Sequence, residues 1–148
     1  MRVKIYIDGA CTGNPGPGGW AVVVLLKNER KELFGGEEST TNNRMELTAA
    51  IKALEFCQKE EGKQPSLKQI KIYTDSKYVK DGITDWINVW ENNNWKTKDK
   101  KNVKNVDLWK KLKDLSKSNQ IEWYWVKGHS NDPMNELVDK LAKSATPI

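Results

Sequence analysis

Lys4-Ile5-Tyr6-Ile7-Asp8 and Lys71-Ile72-Tyr73-Thr74-Asp75 are one five-residue phrase written twice. Val3, Ile5 and Ile7 alternate with Lys4, Tyr6 and Asp8, and Ile70, Ile72 and Thr74 alternate with Lys71, Tyr73 and Asp75. A period of two predicts a strand for each copy. Each copy ends on an aspartate followed by a turn residue, Gly9 or Ser76. Aspartate in that position is ordinary turn and helix-cap chemistry. Two of them in matched settings also fit a pair of carboxylates at the carboxyl ends of neighbouring strands, where open α/β sheets place their active sites.

The rest of the chain supplies the partners. Residues 3–11 are the first strand. Residues 12–19 hold four glycines and two prolines and predict a tight connection. They lack the Lys-Ser/Thr ending of a phosphate loop. Residues 20–27 and 31–38 predict two more strands, with Gly35-Gly36 marking a bulge or a close approach. Thr41-Asn42-Asn43 supply caps for a helix to about residue 60, striped by Leu47, Ile51 and Leu54, with either Cys57 or Gln58 next. Glu46, in its first turn, is either a capping partner or a third carboxylate aimed at the strand tips. A polar loop over 59–68 leads to the second copy, which a right-handed crossover makes parallel to the first. Ser76 then caps a short helix that Gly82 ends, and Thr84 caps another, which carries Trp86 and Trp90. Residues 95–104 are irregular and basic. Residues 106–116 form an amphipathic helix with Leu108, Trp109, Leu112 and Leu115 on one face. Residues 121–126 are a fifth strand, 127–133 a loop, and 135–145 the last helix. The expected fold is α/β: a mixed five-stranded sheet, three antiparallel strands then two parallel, with helices on both faces.

A chain of 148 residues fits one domain, residues 1–148. Hydrophobic residues at 37% and charged residues at 30% exclude a disordered chain. No apolar run approaches the ~20 residues that cross a bilayer, and a strand at the N-terminus leaves no room for a signal peptide. Cys11 and Cys57 have no metal-ligand spacing and are expected as free thiols in a reducing cytoplasm. Cys11 either lines the site beside Asp8 or is a small buried filler. Residues 96–117 hold nine lysines and three aspartates, a net +6 in a chain of net +5, so everything else sums to −1. Such a patch is the footprint of a nucleic-acid binder or a solvated helix face. Trp86, Trp90, Trp95 and Trp109 fall in or beside it. Rings interleaved with lysines suit stacking and phosphate neutralisation. Trp90 and Trp95 are expected in the core, Trp86 and Trp109 facing substrate.

Asp139, in the last helix, completes a set of four acids with Asp8, Glu46 and Asp75. Alone it would read as a surface charge. Four converging carboxylates need a counter-ion. Magnesium, a hard ion that prefers carboxylate oxygen and water, is the natural one. Two such ions about 4 Å apart would clamp the attacking and leaving oxygens of a phosphoryl displacement. His129, the sole histidine, sits in a Gly-His-Ser loop and is either structural or a proton-transfer group.

Six blocks in order now carry a resemblance. They are Tyr-Ile-Asp-Gly-Ala-Cys-Thr-Gly-Asn-Pro-Gly-Pro-Gly-Gly-Trp (6–20), Thr-Thr-Asn-Asn-Arg-Met-Glu-Leu (40–47), Tyr-Thr-Asp-Ser-Lys-Tyr-Val (73–79), Trp-Lys-Thr-Lys-Asp-Lys-Lys-Asn-Val-Lys-Asn-Val-Asp-Leu-Trp (95–109), Trp-Val-Lys-Gly-His-Ser (125–130) and Asn-Glu-Leu-Val-Asp-Lys-Leu-Ala (135–142). Over nearly its whole length the chain resembles the type 1 ribonuclease H family of bacteria. The resemblance implies a ribonuclease H-like fold and endonucleolytic cleavage of the RNA strand of RNA–DNA hybrids, giving 5′-phosphate and 3′-hydroxyl ends. It implies that Asp8, Glu46, Asp75 and Asp139 are catalytic carboxylates holding two Mg2+ ions, with Mn2+ able to substitute. His129 would assist proton transfer or product release, the latter with Glu136. Asn14, Asn42 and the Cys11 backbone would read the minor groove and the RNA 2′-hydroxyls, with Asn43 and Lys77 alongside. Thr41 and Asn105 would hold a DNA-strand phosphate. Trp86 and Trp109 would line the DNA channel on a basic protrusion at about 84–109. The expected form is a cytoplasmic monomer.

The chain departs from the family pattern in places. Ser39 stands where relatives often have an arginine for the DNA phosphate, and Glu91-Asn92-Asn93-Asn94 replaces a run usually richer in lysine. The 59–68 loop is longer than in familiar members, and with no separate hybrid-binding domain expected before residue 1, binding would rest on this domain. Two rival functions share the architecture: an enzyme acting on DNA, and a hybrid-binding module without catalysis. If the basic patch carries binding, hybrid affinity measured in calcium should fall roughly tenfold or more between about 50 and 200 mM salt; a flat response would contradict it.

Overall fold

The two copies of the repeated phrase lie side by side. In the computed structural model, which describes residues 2–61, 69–117, 120–128 and 132–147, β1 (Arg2–Cys11) and β4 (Gln69–Thr74) pair in parallel. The register sets Lys4 against Lys71, Ile5 against Ile72, Tyr6 against Tyr73 and Ile7 against Thr74, so the copies match residue for residue. β2 (Gly16–Leu25) and β3 (Arg30–Thr40) extend the sheet antiparallel on one side, and β5 (Gln120–Trp125) pairs in parallel with β4 on the other. The spatial order is β3-β2-β1-β4-β5. This is the mixed sheet expected from the sequence.

Alternation along the strands divides the core. Val3, Ile5, Ile7, Ile70 and Ile72 pack under α1 (Asn42–Glu61) and α4 (Val106–Ser116), against Leu47, Ile51, Leu54, Cys57 and Leu112. Each such side chain contributes about 1.5–3 kcal/mol by leaving water. On the opposite face Tyr6, Ala21 and Val23 pack against Val138 and Ala142 of α5 (Pro133–Ala145). Among the described residues, no helix is long and apolar enough to cross a membrane.

Four local expectations need correction. First, β2 starts at Gly16, so the glycine-rich stretch is partly strand. Its glycines serve close approach: a Cβ on Gly19 would stand 2.2 Å from the Ala142 carbonyl oxygen of α5. The irregularity in β2–β3 pairing lies at Gly16/Gly18, whereas Gly35 and Gly36 give way to the Trp20 ring and the Ala145 carbonyl. Second, α5 begins two residues early because Pro133 sits at its start and Asp132 caps it, accepting from Met134 and Asn135 N–H at 3.0 and 3.3 Å. Pro costs nothing in a first turn whose N–H groups have no helical partner.

Third, Gly82 does not end a helix. α2 (Lys77–Asp81), capped by Ser76 as expected, continues through a π-helical turn (Gly82–Trp86) into α3 (Ile87–Asn92), and Gly82 has right-handed backbone angles. Fourth, Trp109 does not face substrate. Its side chain is 0% exposed, in edge contact with Tyr78 and Trp90 at 5.2 and 5.4 Å. Its Nε1 donates to the Tyr78 hydroxyl at 3.1 Å. The last two findings have one cause: a Cβ on Gly82 would lie 2.0 Å from the Trp109 ring. Glycine is there to admit the indole.

Helix propensity alone favours alanine over glycine by about 1 kcal/mol. Gly82→Ala should instead destabilise the protein by roughly 1–3 kcal/mol through overpacking against Trp109. Urea unfolding measures the sign, and a stabilised variant would contradict the packing.

Candidate active site

Asp8 lies near the end of β1, and Asp75 follows the last residue of β4. In-register pairing therefore sets their chain positions side by side at one rim of the sheet. Glu46 arrives from α1, which Thr41 caps by accepting from Arg44 N–H at 3.2 Å. Glu46 stands just past the first turn of the helix, not within it. It is not a capping partner, because its Oε1 accepts from the Gly9 N–H of β1. Gly9 permits that contact: a Cβ there would stand 2.5 Å from the Glu46 nitrogen. Oxygens of Asp8, Glu46 and Asp75 lie within 4.8 Å of one another. Asp139 of α5 joins them in lining one depression of about 370 Å³, and its Oδ2 is 3.0 Å from Lys143 Nζ.

Asp8 and Glu46 are buried. Burial pushes both carboxyls well above the usual carboxylate range. For Asp8, the neighbouring Glu46 and Asp75 charges push further in the same direction. For Glu46, Asp75 pushes up while hydrogen bonds from Asp8 and Gly9 pull back. The two cannot both be ionised near neutrality without a counter-charge. Glu46 Oε2 is buried and has no hydrogen-bond partner among the described residues. An orphaned carboxylate oxygen beside other carboxylates fits a hard divalent cation, and a cluster that among the described residues holds only carboxylates suits magnesium, manganese or calcium better than zinc.

The other expected site residues divide. Asn42 and Cys11 line the depression, and Asn43 is exposed beside Asn42. The Cys11 thiol points back towards the Thr40 and Gly16 carbonyls, at 3.4 and 3.5 Å. Asn14 is exposed in the β1–β2 turn. Lys77 is exposed, its ammonium 4.7 Å from the Trp125 ring centre. Asn105 takes a left-handed conformation (φ 59°) at the start of α4. Its Oδ1 accepts from Arg44 Nη1 at 3.1 Å and its Nδ2 donates to the Tyr78 hydroxyl at 3.2 Å. Trp86 is 40% exposed, and Glu136 is exposed in the first turn of α5. His129 lies outside the described residues.

Three residues at the site were not singled out from sequence. Trp125 donates its indole N–H to the Asp75 carbonyl at 3.0 Å. That contact depends on β4–β5 pairing, which no local pattern reveals. Arg44 ties α1 to α4 by pairing with Asp107 at 2.8 Å, across 63 residues of chain. Lys143 was legible, since it follows Asp139 by four residues on a helix, the spacing of an ion pair.

The raised carboxyls carry a stability consequence. The folded state holds protons that the unfolded chain gives up at its ordinary carboxylate pH, so stability is lost as pH rises above about 4. Asp8→Asn removes one of the crowded charges. In chelator at pH 7 it should raise unfolding stability by on the order of 1–3 kcal/mol. The gain should shrink towards pH 4; a destabilised variant in urea unfolding would refute the crowding.

Known proteins resemble this chain over nearly its whole length. The family model described as RNase H matches residues 1–146. The ribonuclease H of Dechloromonas aromatica is 55% identical over 140 residues, spanning 95% of this chain and 90% of that protein. That of Wolbachia pipientis wMel is 52% identical, spanning 97% and 94%. Among solved structures, LC9-RNase H1, a type 1 RNase H with the type 2 active-site motif, matches with a TM-score of 0.83 at 31% identity, over 97% of this chain and 71% of that one. LC11-RNase H1, solved in complex with an RNA/DNA hybrid, shares the fold with a TM-score of 0.73 at 22% identity, over 97% and 95%. Acids meeting at the strand tips of this sheet, and sequence identity above one half with proteins of one name, lead to the same conclusion: the chain belongs to the ribonuclease H family.

Proposed function

We propose that the protein cleaves the RNA strand of RNA–DNA hybrids endonucleolytically, by a two-metal-ion mechanism that leaves 5′-phosphate and 3′-hydroxyl ends. The observation that carries this reading is the meeting of Asp8, Glu46 and Asp75 oxygens within 4.8 Å, in a chain whose family relatives are ribonucleases H. Those three and Asp139 would hold Mg2+, with Mn2+ as a substitute. When bound, the ions supply positive charge that activates water and offsets the charge developing on the phosphate.

The chain's own residues do the rest. Asp8 and Glu46 form a buried floor in which charges act with little screening, and the Gly9 N–H fixes one Glu46 oxygen. Asn14, Asn42, Asn43, Lys77 and the Cys11 backbone bind the RNA strand, reading the 2′-hydroxyls that separate RNA from DNA. Thr41 and Asn105 hold a DNA phosphate, Asn105 being braced by Arg44 and Tyr78. Trp86 offers the exposed ring of the DNA channel. His129 moves a proton or, with Glu136, helps product leave. The protein acts as a single-domain cytoplasmic monomer.

A strand-labelled hybrid tests this directly. Cleavage of the RNA strand should require magnesium or manganese, stop with chelator, and leave 3′ ends that a polymerase extends. Asp75→Asn should reduce the rate by roughly a thousandfold or more while hybrid binding in calcium stays within about twofold. Full activity of that variant would remove the site, and faster cleavage of an all-DNA duplex would favour the DNA-acting rival.

A further inference from the structure

Among the described residues that line the acidic depression, Lys143 is the only basic one. Its Nζ lies 3.0 Å from Asp139 Oδ2. α5 fixes the pair: Asp139 and Lys143 are one turn apart, on the same side of the helix. Between them Ala142 is buried against the sheet, over the gap that Gly19 leaves open. The backbone under both side chains is therefore held by packing, not by the ion pair.

An ammonium beside a carboxylate oxygen does part of what a bound metal does. It occupies a lone pair and offsets the repulsion of neighbouring acids. Lys143 and a metal therefore compete for the same oxygen atom. We propose that Lys143 is an internal counter-ion of Asp139, a positioning residue that a divalent cation must displace before it can use that carboxylate. The proposal rests on the reading of Asp139 as a metal ligand. The partners are partly solvated, with side chains 62% and 30% exposed. An exposed pair of this kind is weak, so its removal should tighten metal binding by about two- to fivefold and no more. The sign is the informative part. Loosening of the site would weaken metal binding, whereas loss of a competitor strengthens it.

The experiment is a calorimetric titration of Mn2+, and then Mg2+, into the 148-residue protein without nucleic acid. Lys143→Met should bind about two- to fivefold more tightly than the parent, and Lys143→Arg should resemble the parent. Lys140→Met makes the same charge change at an exposed position on the same helix, and should change affinity by less than about 1.5-fold. In an Asp139→Asn background, Lys143→Met should have no effect. Unchanged or weaker binding by Lys143→Met would overturn the proposal. So would an equal gain in Lys140→Met, or a gain that persists without Asp139. Asp8→Asn in the same series separates the two levels of failure. If the parent binds metal and Asp8→Asn does not, the site reading stands whatever Lys143 does. If parent and Asp8→Asn alike bind none, the site reading fails and this inference fails with it.

Discussion

Carboxylates that cannot all be ionised at once are nevertheless forced together by the main-chain pairing of β1 and β4. The in-register match of the repeated phrase leaves no freedom: once Ile5 faces Ile72 and Ile7 faces Thr74, the aspartates that end the phrase must be neighbours. Sliding either strand by one residue would turn its apolar side chains to the wrong face. The apolar core on the α1 side thus drives the acids together and resists their separation. Packing supplies what the repulsion consumes, and a cation is the species that relieves it. Stability and chemistry are opposed at this rim, as they are at many strained sites.

Glycine sets the distances. Gly9 lets the start of α1 lie on the tip of β1, so that Glu46 reaches a backbone N–H of the strand that carries Asp8. Gly19 lets α5 lie on β2, which brings Asp139 over the same rim from the opposite face. Gly82 admits Trp109 and so seats the protrusion on the core. In each case the missing Cβ does not serve a turn. It allows one element to approach another more closely than any side chain would permit. The reach of a carboxylate is short, so a shift of one ångström in a helix would break the cluster.

The mixed direction of the sheet and the two aspartates that end its repeated phrase were legible because they depend on short-range patterns: a period of two, a right-handed crossover, and a phrase that occurs twice. What was not legible depends on contacts between distant segments. Gly82 reads as a helix stop until Trp109, 27 positions later in the numbering, is seen to press on it. Trp109 lies on the apolar face of its amphipathic helix but reads as a substrate ring beside lysines, because sequence does not show that Tyr78 and Trp90 enclose it. Glu46 reads equally well as a cap or as a ligand, and only the Gly9 N–H separates the two. Pro133 reads from sequence as part of a loop although proline is favoured at a helix start; Asp132 just before it is the available signal.

The burial of Trp109 changes how the basic segment works. A protrusion with a ring in the core cannot be a loose arm. It is joined to α1 through Arg44, Asp107, Asn105 and Tyr78, so its backbone is tied to the helix that carries Glu46. That rigidity matters because the two regions act on a polyanion with opposite sign. The acids of the depression would by themselves repel phosphate, while the segment over 96–117 attracts it with a net +6. Attraction at a distance brings a duplex to the surface, but only a rigid frame can convert attraction at the protrusion into pressure of a phosphate on the acid rim. Cations bound there would reverse the sign of the rim itself. Hybrid and metal would then favour each other's binding, since each would remove the charge that opposes the other.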